Sequence, residues 1–162
     1  MTLALAHIWR HPLKAIGREA LTSVDLTAGT WLPFDRVWAV AHERSKLTTG
    51  RAKKVNFLRG VTEPALMAAT AQLAEDGETL TLDHPKAGQI TLRPDAEADW
   101  PVFADWLARL WPGDLPAPTG IYRGDNAHLT DVEGAWISLH TLASHHAVET
   151  ALGRDLSIHR WR

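Results

Sequence analysis

Apolar and polar positions alternate with a short period through the first half of the chain, and the period lengthens to a helical one in the second half. Leu3-Ala4-Leu5-Ala6-His7-Ile8-Trp9 alternates loosely and predicts a strand with Leu3, Leu5 and Trp9 on one side, stopped by Pro12. Residues 20–26 predict a second strand, in which Leu21 and Val24 share a face only if a bulge intervenes. Thr27-Ala28-Gly29-Thr30 is a turn cluster. Residues 37–41 form a compact apolar run fit for a buried strand, and Leu47-Thr48-Thr49 reads as a short return strand ending at Gly50. Residues 64–73 have helical spacing, with Leu66, Ala69 and Leu73 on one stripe and Pro64 suited to a first turn. Glu78-Thr79-Leu80-Thr81-Leu82 and Gln89-Ile90-Thr91-Leu92 alternate cleanly, and residues 85–88 join them as a hairpin.

The second stretch is more helical. Asp99 is placed to cap a helix with Pro101 in its first turn, whose apolar stripe is Val102, Phe103, Trp106, Leu107 and Leu110 and whose end is marked by Pro112 and Gly113. Residues 115–120, with Pro116 and Pro118, read as a loop or linker. Thr141 caps a second helix with Leu142, Val148, Ala151 and Leu152 inward, and Gly153 stands where a C-terminal glycine belongs. Residues 158–162 then begin another strand. The pattern predicts an α+β protein: a mostly β, barrel-like sheet with a few helices over residues 1–93, a helix and Pro-rich linker over 94–120, and a further β portion beginning at 121–162.

The 162 residues suffice for one domain or two small subdomains. There is no cysteine, so this chain contains no disulfide, no thiolate metal site and no cysteine nucleophile. A net charge of −2 argues against a bulk electrostatic grip on nucleic acid. No apolar run approaches the roughly 18 residues of a membrane span, and the opening residues are too short for a signal segment, so a cytoplasmic setting is expected. Eight Trp against three Phe and one Tyr require large flat side chains as core filler or pocket wall, Trp100 to Trp111 included.

The nine histidines carry no zinc-protease spacing, and adjacent His145 and His146 should point about 100° apart on a helix, so surface or partly buried histidines are expected rather than a metal site. A nucleophile elbow and the glycine-rich phosphate loops are absent. The cations are more informative. Lys14, Arg36 and Arg51 each fall at a strand terminus beside Pro or Gly, where strand ends could converge on a phosphate; the alternative is ordinary solvated charges, with Asp35 placed to pair with one of them.

His11-Pro12-Leu13-Lys14-Ala15-Ile16-Gly17-Arg18-Glu19 resembles the Tyr-Pro-Val-Lys-Ser-x-x-Gly opening of the MOSC N-terminal β-barrel domain, the companion of the molybdenum cofactor sulfurase C-terminal (MOSC) domain. Gly29 and then Asp35-Arg36-Val37-Trp38 are similar to the family's Gly-Leu-x-x-Asp-Arg-x-Trp, and Thr49-Gly50-Arg51 to its Thr-x-Arg. Thr130-Asp131, Leu142-Ala143-Ser144 and Leu152-Gly153 follow in family order, and Arg160-Trp161-Arg162 resembles its Arg-Phe-Arg. The resemblance covers almost the whole chain. It implies binding of molybdopterin, the organic part of the molybdenum cofactor, for sulfur transfer or reduction of N-hydroxylated substrates. It further implies Lys14, Arg36 and Arg162 at the terminal phosphate, assisted by Arg51, with Ser144 near the pocket or simply capping its helix. An electron-transfer or sulfur-donor protein is the expected partner, with no nucleic acid or membrane. Pyridoxal phosphate enters only by family association.

Two departures matter. Ala15 stands where the family has a serine, removing one hydroxyl donor. The family's molybdenum- or sulfur-carrying cysteine lies downstream of Arg-Phe-Arg, and this chain stops at that element without a cysteine. Taken alone it should not perform molybdenum redox chemistry or persulfide transfer. The expectation is a truncated MOSC protein; the alternative is a non-enzymatic anion-binding or partner-docking module.

Overall fold

A computed structural model describes residues 4–47, 52–124 and 128–160. Its strands form three small antiparallel sheets joined by single bridges: β1 (Ile8–Arg10) with β2 (Glu19–Leu21), β3 (Trp38–His42) with β7 (Pro118–Arg123), and β4 (Thr70–Leu73), β5 (Leu80–His84) and β6 (Gly88–Leu92) in that order. Two helices, α1 (Trp100–Leu107) and α2 (Leu142–Leu152), complete an α+β architecture, and no closed barrel is found among the described residues.

The hairpin β5–β6 follows its alternation. Leu80 opposite Leu92 and Leu82 opposite Ile90 face the core, while Thr81 and Thr91 pair their hydroxyls at 2.9 Å on the exposed side. α1 closes over this sheet with Phe103, Trp106 and Leu107 buried. The Trp106 indole donates to the Gly88 carbonyl at 2.8 Å and the Trp111 indole to the Pro116 carbonyl at 3.0 Å, so these two tryptophans serve the core with their N–H groups satisfied. Trp38, fully buried, does the same by donating to Asp95 Oδ1 at 2.8 Å, and the Arg123 guanidinium lies 5.3 Å over its ring.

Several local expectations give way to pairing. Residues 64–73 are not one helix. A 3₁₀ turn, Pro64–Ala68, is opened by Glu63 Oε1 accepting from Ala65 N at 2.8 Å, and the chain then enters β4. Leu66 and Ala69 are buried as the stripe required, but the free edges of β5 and of Arg18 offer β4 hydrogen bonds on both sides, and these override the helical spacing. Residues 118–120, expected in a loop, belong to β7; Pro118 is tolerated as the first residue of its strand. β1 and β2 are three residues each rather than the longer strands expected, because only Ile8, Trp9 and Arg10 find partners across the ladder, and Leu5 is 68% exposed. Asp99 does not cap α1 with its side chain; its carboxylate accepts instead from Arg93 N at 2.7 Å. Residues 158–160 form a 3₁₀ turn rather than a strand, with the His159 ring edge-on to Trp9 at 4.7 Å. Leu47 is outside any strand, and Thr48, Thr49, Trp161 and Arg162 lie outside the described residues.

α2 is capped as expected: Thr141 Oγ1 accepts from Ser144 N, and Gly153 adopts a left-handed φ of 62°. β1–β2 is anchored by a buried ion pair, Arg10 Nε to Glu19 Oε2 at 2.7 Å, whose other carboxylate oxygen accepts from Leu73 N at 2.9 Å. Gly17, at φ 77°, lets the loop after β1 lie directly on this framework: a Cβ there would sit 2.9 Å from both Ala71 Cβ and Leu82 Cδ2. Gly17→Ala therefore combines a left-handed backbone with core overpacking and should destabilise the protein by about 1–3 kcal/mol in urea unfolding. A loss below about 0.5 kcal/mol would show that the loop can lift off β4 and β5 freely.

Candidate functional site

Two loops that hydrogen-bond to each other carry the leading cations. His11 N donates to Asp35 Oδ1 at 2.8 Å, Arg36 N to the His11 carbonyl at 2.7 Å, Lys14 N to the Trp38 carbonyl at 2.8 Å and Trp38 N to the Pro12 carbonyl at 3.2 Å. A third segment is laid against them, with Leu129 N donating to the Arg36 carbonyl at 2.7 Å and Gly124 N to the Val37 carbonyl at 2.9 Å. Segments far apart in sequence are thus fixed by backbone bonds before any side chain is considered.

The Lys14 side chain enters the junction of the three. It is 5% exposed, and its amine donates to the Leu129 carbonyl at 2.8 Å and pairs with Asp131 Oδ1. Arg36 Nη1 pairs with Asp35 Oδ2, as foreseen for that carboxylate, and the Lys54 amine lies 4.0 Å from Asp131 Oδ2. Three cations therefore crowd two carboxylates. Burial pushes the Lys14 amine below its ordinary value; Asp131 opposes this, and Arg36 and Lys54 add to it. Burial pulls the Asp131 carboxyl upward, but the hydrogen bond and charge of Lys14, with Lys54 and Arg36 behind it, hold it below the usual carboxylate range. Among the described residues the nook holds three cations against two carboxylates.

Backbone strain is concentrated on the same loops. The non-glycine residues with positive φ among those described are Ala15 at 66°, Phe34 at 60° and Arg36 at 54°. Ile16 N bonds the Leu13 carbonyl at 3.2 Å and Asp35 N the Leu32 carbonyl at 3.0 Å, so Ala15 and Phe34 each hold the third position of a tight turn, where a positive φ favours glycine. Such conformations persist where the surroundings over-determine them, as at ligand sites.

Of the other sequence candidates, Ser144 is exposed at the start of α2, its amide 3.1 Å and its hydroxyl 2.7 Å from Thr141 Oγ1; these are cap bonds. Arg51 and Arg162 lie outside the described residues. Lys54 and His128 were not singled out from sequence. Lys54 sits in the Lys53-Lys54 pair after Arg51, the one local signal available; nothing local marks His128. His145 and His146, expected to diverge, both reach Glu149, at 3.2 Å to Oε1 and 2.9 Å to Oε2, because the carboxylate's two oxygens serve positions one turn back. Among the described residues no group of three or more His, Cys, Asp or Glu could hold a metal ion, and no helix is long and apolar enough to cross a membrane. Two shallow grooves, one beside α2 near His146 and Arg154 and one between β2 and β4, include neither Lys14 nor Arg36.

These features define a small-stranded α+β protein with a cation-rich nook built on strained, mutually bonded loops. Residues 2–106 match the family model of the MOSC N-terminal beta barrel domain, and the chain belongs to that family. No curated protein and no solved structure matches it.

Two outcomes follow for the nook itself. Because the folded state releases the Lys14 proton before the unfolded chain does, wild-type stability relative to Lys14→Met should rise with pH across the window from the lowered value up to 10.5. Parallel pH–stability curves for the two proteins would show that the amine is not held below its ordinary value. Ala15→Gly removes the left-handed strain and should stabilise the fold by up to about 1 kcal/mol, read from the urea midpoint; destabilisation would mean that the methyl group contributes more than the strain costs.

Proposed function

We propose that this chain is the molybdopterin-binding portion of a MOSC-type protein, in which Lys14 and Arg36 hold the cofactor's terminal phosphate. The reading rests chiefly on one observation: among the described residues a buried ammonium, Lys14, faces a carbonyl and a 53% exposed carboxylate while Arg36 and Lys54 press like charge on it. A dianionic phosphate fits those surroundings, since it accepts charge-assisted bonds from both a point cation and a guanidinium fork and brings negative charge to them. Family membership and the strained loops support the same assignment. By the same resemblance Arg162 and Arg51 would add donors, and Ser144 a hydroxyl.

The chain's own part is binding and orientation. Asp131 holds the Lys14 amine charged and in place, and an incoming phosphate takes over that role as the carboxylate swings toward Lys54 and solvent. The bound cofactor would supply the redox or sulfur-carrying chemistry for reduction of N-hydroxylated substrates or for sulfur transfer, with an electron- or sulfur-donor protein as partner. With no cysteine, this chain offers no thiolate to a metal. A second reading, a partner-docking module without catalysis, draws on Val132, Trp136, Ile137 and Leu139, which expose large apolar surface in the segment leading to α2.

Calorimetric titration with inorganic phosphate tests the first reading. Saturable binding is expected. Lys14→Ala or Arg36→Ala should weaken it roughly tenfold or more, as loss of a charge-assisted bond does, while Asp131→Asn, which removes the competing carboxylate, should tighten it. Binding that is absent, or indifferent to Lys14, would leave the docking reading in its place.

A further inference from the structure

The ring of His128 presents an unexplained polar atom at the edge of the same nook. Its Nδ1 is buried and has no hydrogen-bond partner, whereas buried ring nitrogens are ordinarily satisfied. The ring is fixed in place: it stacks on Trp31 with centroids 5.5 Å apart and planes 20° from parallel. The next residue in the chain, Leu129, is clamped at both ends, its amide to the Arg36 carbonyl at 2.7 Å and its carbonyl to the Lys14 amine at 2.8 Å. Since successive Cα atoms are only about 3.8 Å apart, the His128 backbone lies next to this clamp, and its ring is near enough to Asp35 and Arg36 to feel their charges.

We propose that His128 is a proton-coupled donor of this anion site: binding of a dianionic oxyanion at Lys14 and Arg36 draws one proton from solvent onto the His128 ring, which then gives the anion a further charge-assisted hydrogen bond. This rests on the phosphate-site reading and adds to it a residue and a proton. The charged groups facing the ring are Asp35 and Arg36, which oppose each other, with Lys14, Lys54 and Asp131 around Arg36. Burial holds the ring below its ordinary pKa, Asp35 works against that through its charge and its backbone, and Arg36 reinforces it. Without an anion the ring is therefore neutral at neutral pH. A dianion reverses the balance, because it screens Arg36 and places negative charge beside the nitrogen. Only the ring's protonation changes in this step; no covalent bond to the anion forms and no electron moves.

Sulfate is the discriminating probe, because it stays a dianion between about pH 5 and 8, so any proton taken up belongs to the protein. Titrations near pH 7 in two buffers of different ionisation enthalpy should give different apparent enthalpies, corresponding to uptake of up to one proton. Affinity should rise as pH falls, by up to about tenfold per unit. His128→Asn should bind sulfate without proton uptake and with a flat pH profile. The nitrogen chemical shifts of the wild-type ring, followed against pH, should report a higher pKa with sulfate than without, a readout that does not depend on the variant folding. Sulfate binding that is weakened by Lys14→Ala but takes up no proton would overturn the role of His128 and leave the phosphate site standing. Uptake that persists in His128→Asn would overturn it equally. If neither sulfate nor phosphate binds the wild type, both assignments fall.

Discussion

The arrangement depends on one buried ammonium. Lys14 has crossed 115 positions of sequence to reach the Leu129 carbonyl, and its charge is kept out of water at the point where three segments meet. A buried charge is tolerated only when it is paired and hydrogen-bonded, so the amine dictates what surrounds it. Leu129 must present its carbonyl, Asp131 must lie close, and the backbones of residues 36–38 and 11–14 must be locked together to keep the junction shut. Among the described residues Arg36 and Lys54 add positive charge beside the amine, and Asp35 and Asp131 are the carboxylates that meet these cations. The anion-site reading proposed above gives that arrangement a use that a purely structural ion pair does not.

The strain at Ala15, Phe34 and Arg36 is intelligible on the same terms. Each left-handed residue costs roughly 1–2 kcal/mol, and the fold holds them because their neighbours leave no alternative. Gly17 is pressed onto Ala71 and Leu82, Phe34 covers Gly77 and faces the Arg10 guanidinium at 5.6 Å, and Trp38 is wholly buried immediately after the Arg36 loop. The core beneath the nook therefore offsets a local conformational cost that gives the two cations fixed bearings. Preorganisation of this kind matters more for a small anion than for a large apolar ligand, whose binding is non-directional.

Much of this was legible in the sequence, for identifiable reasons. The β5–β6 hairpin and the Phe103-Trp106-Leu107 stripe of α1 are dictated by local periodicity, and the Thr141 and Gly153 caps by local backbone chemistry. Lys14 and Arg36 were marked by their places beside Pro12 and Asp35 and by the family likeness. What was not legible depended on distant partners. β4 and β7 exist because β5 and β3 offer them hydrogen bonds, and neither residues 64–73 nor the prolines near 116–118 announce that. Lys54 and His128 become parts of the nook only when Leu129 docks on Arg36, a contact between segments more than 90 positions apart that no spacing rule encodes.

Asp131 ties the electrostatics to the binding question. Its carboxylate is half exposed while the amine it meets is almost wholly buried, so the two partners differ in what they lose if they part. Released, the carboxylate regains water and keeps Lys54 nearby; the amine, released into the same nook, keeps among the described residues the Leu129 carbonyl. On the proposed reading the pair opens by exchange, with another anion arriving as the carboxylate leaves. On that reading the ligand is an oxyanion compact enough to occupy a carboxylate's place, and more highly charged than the carboxylate it displaces.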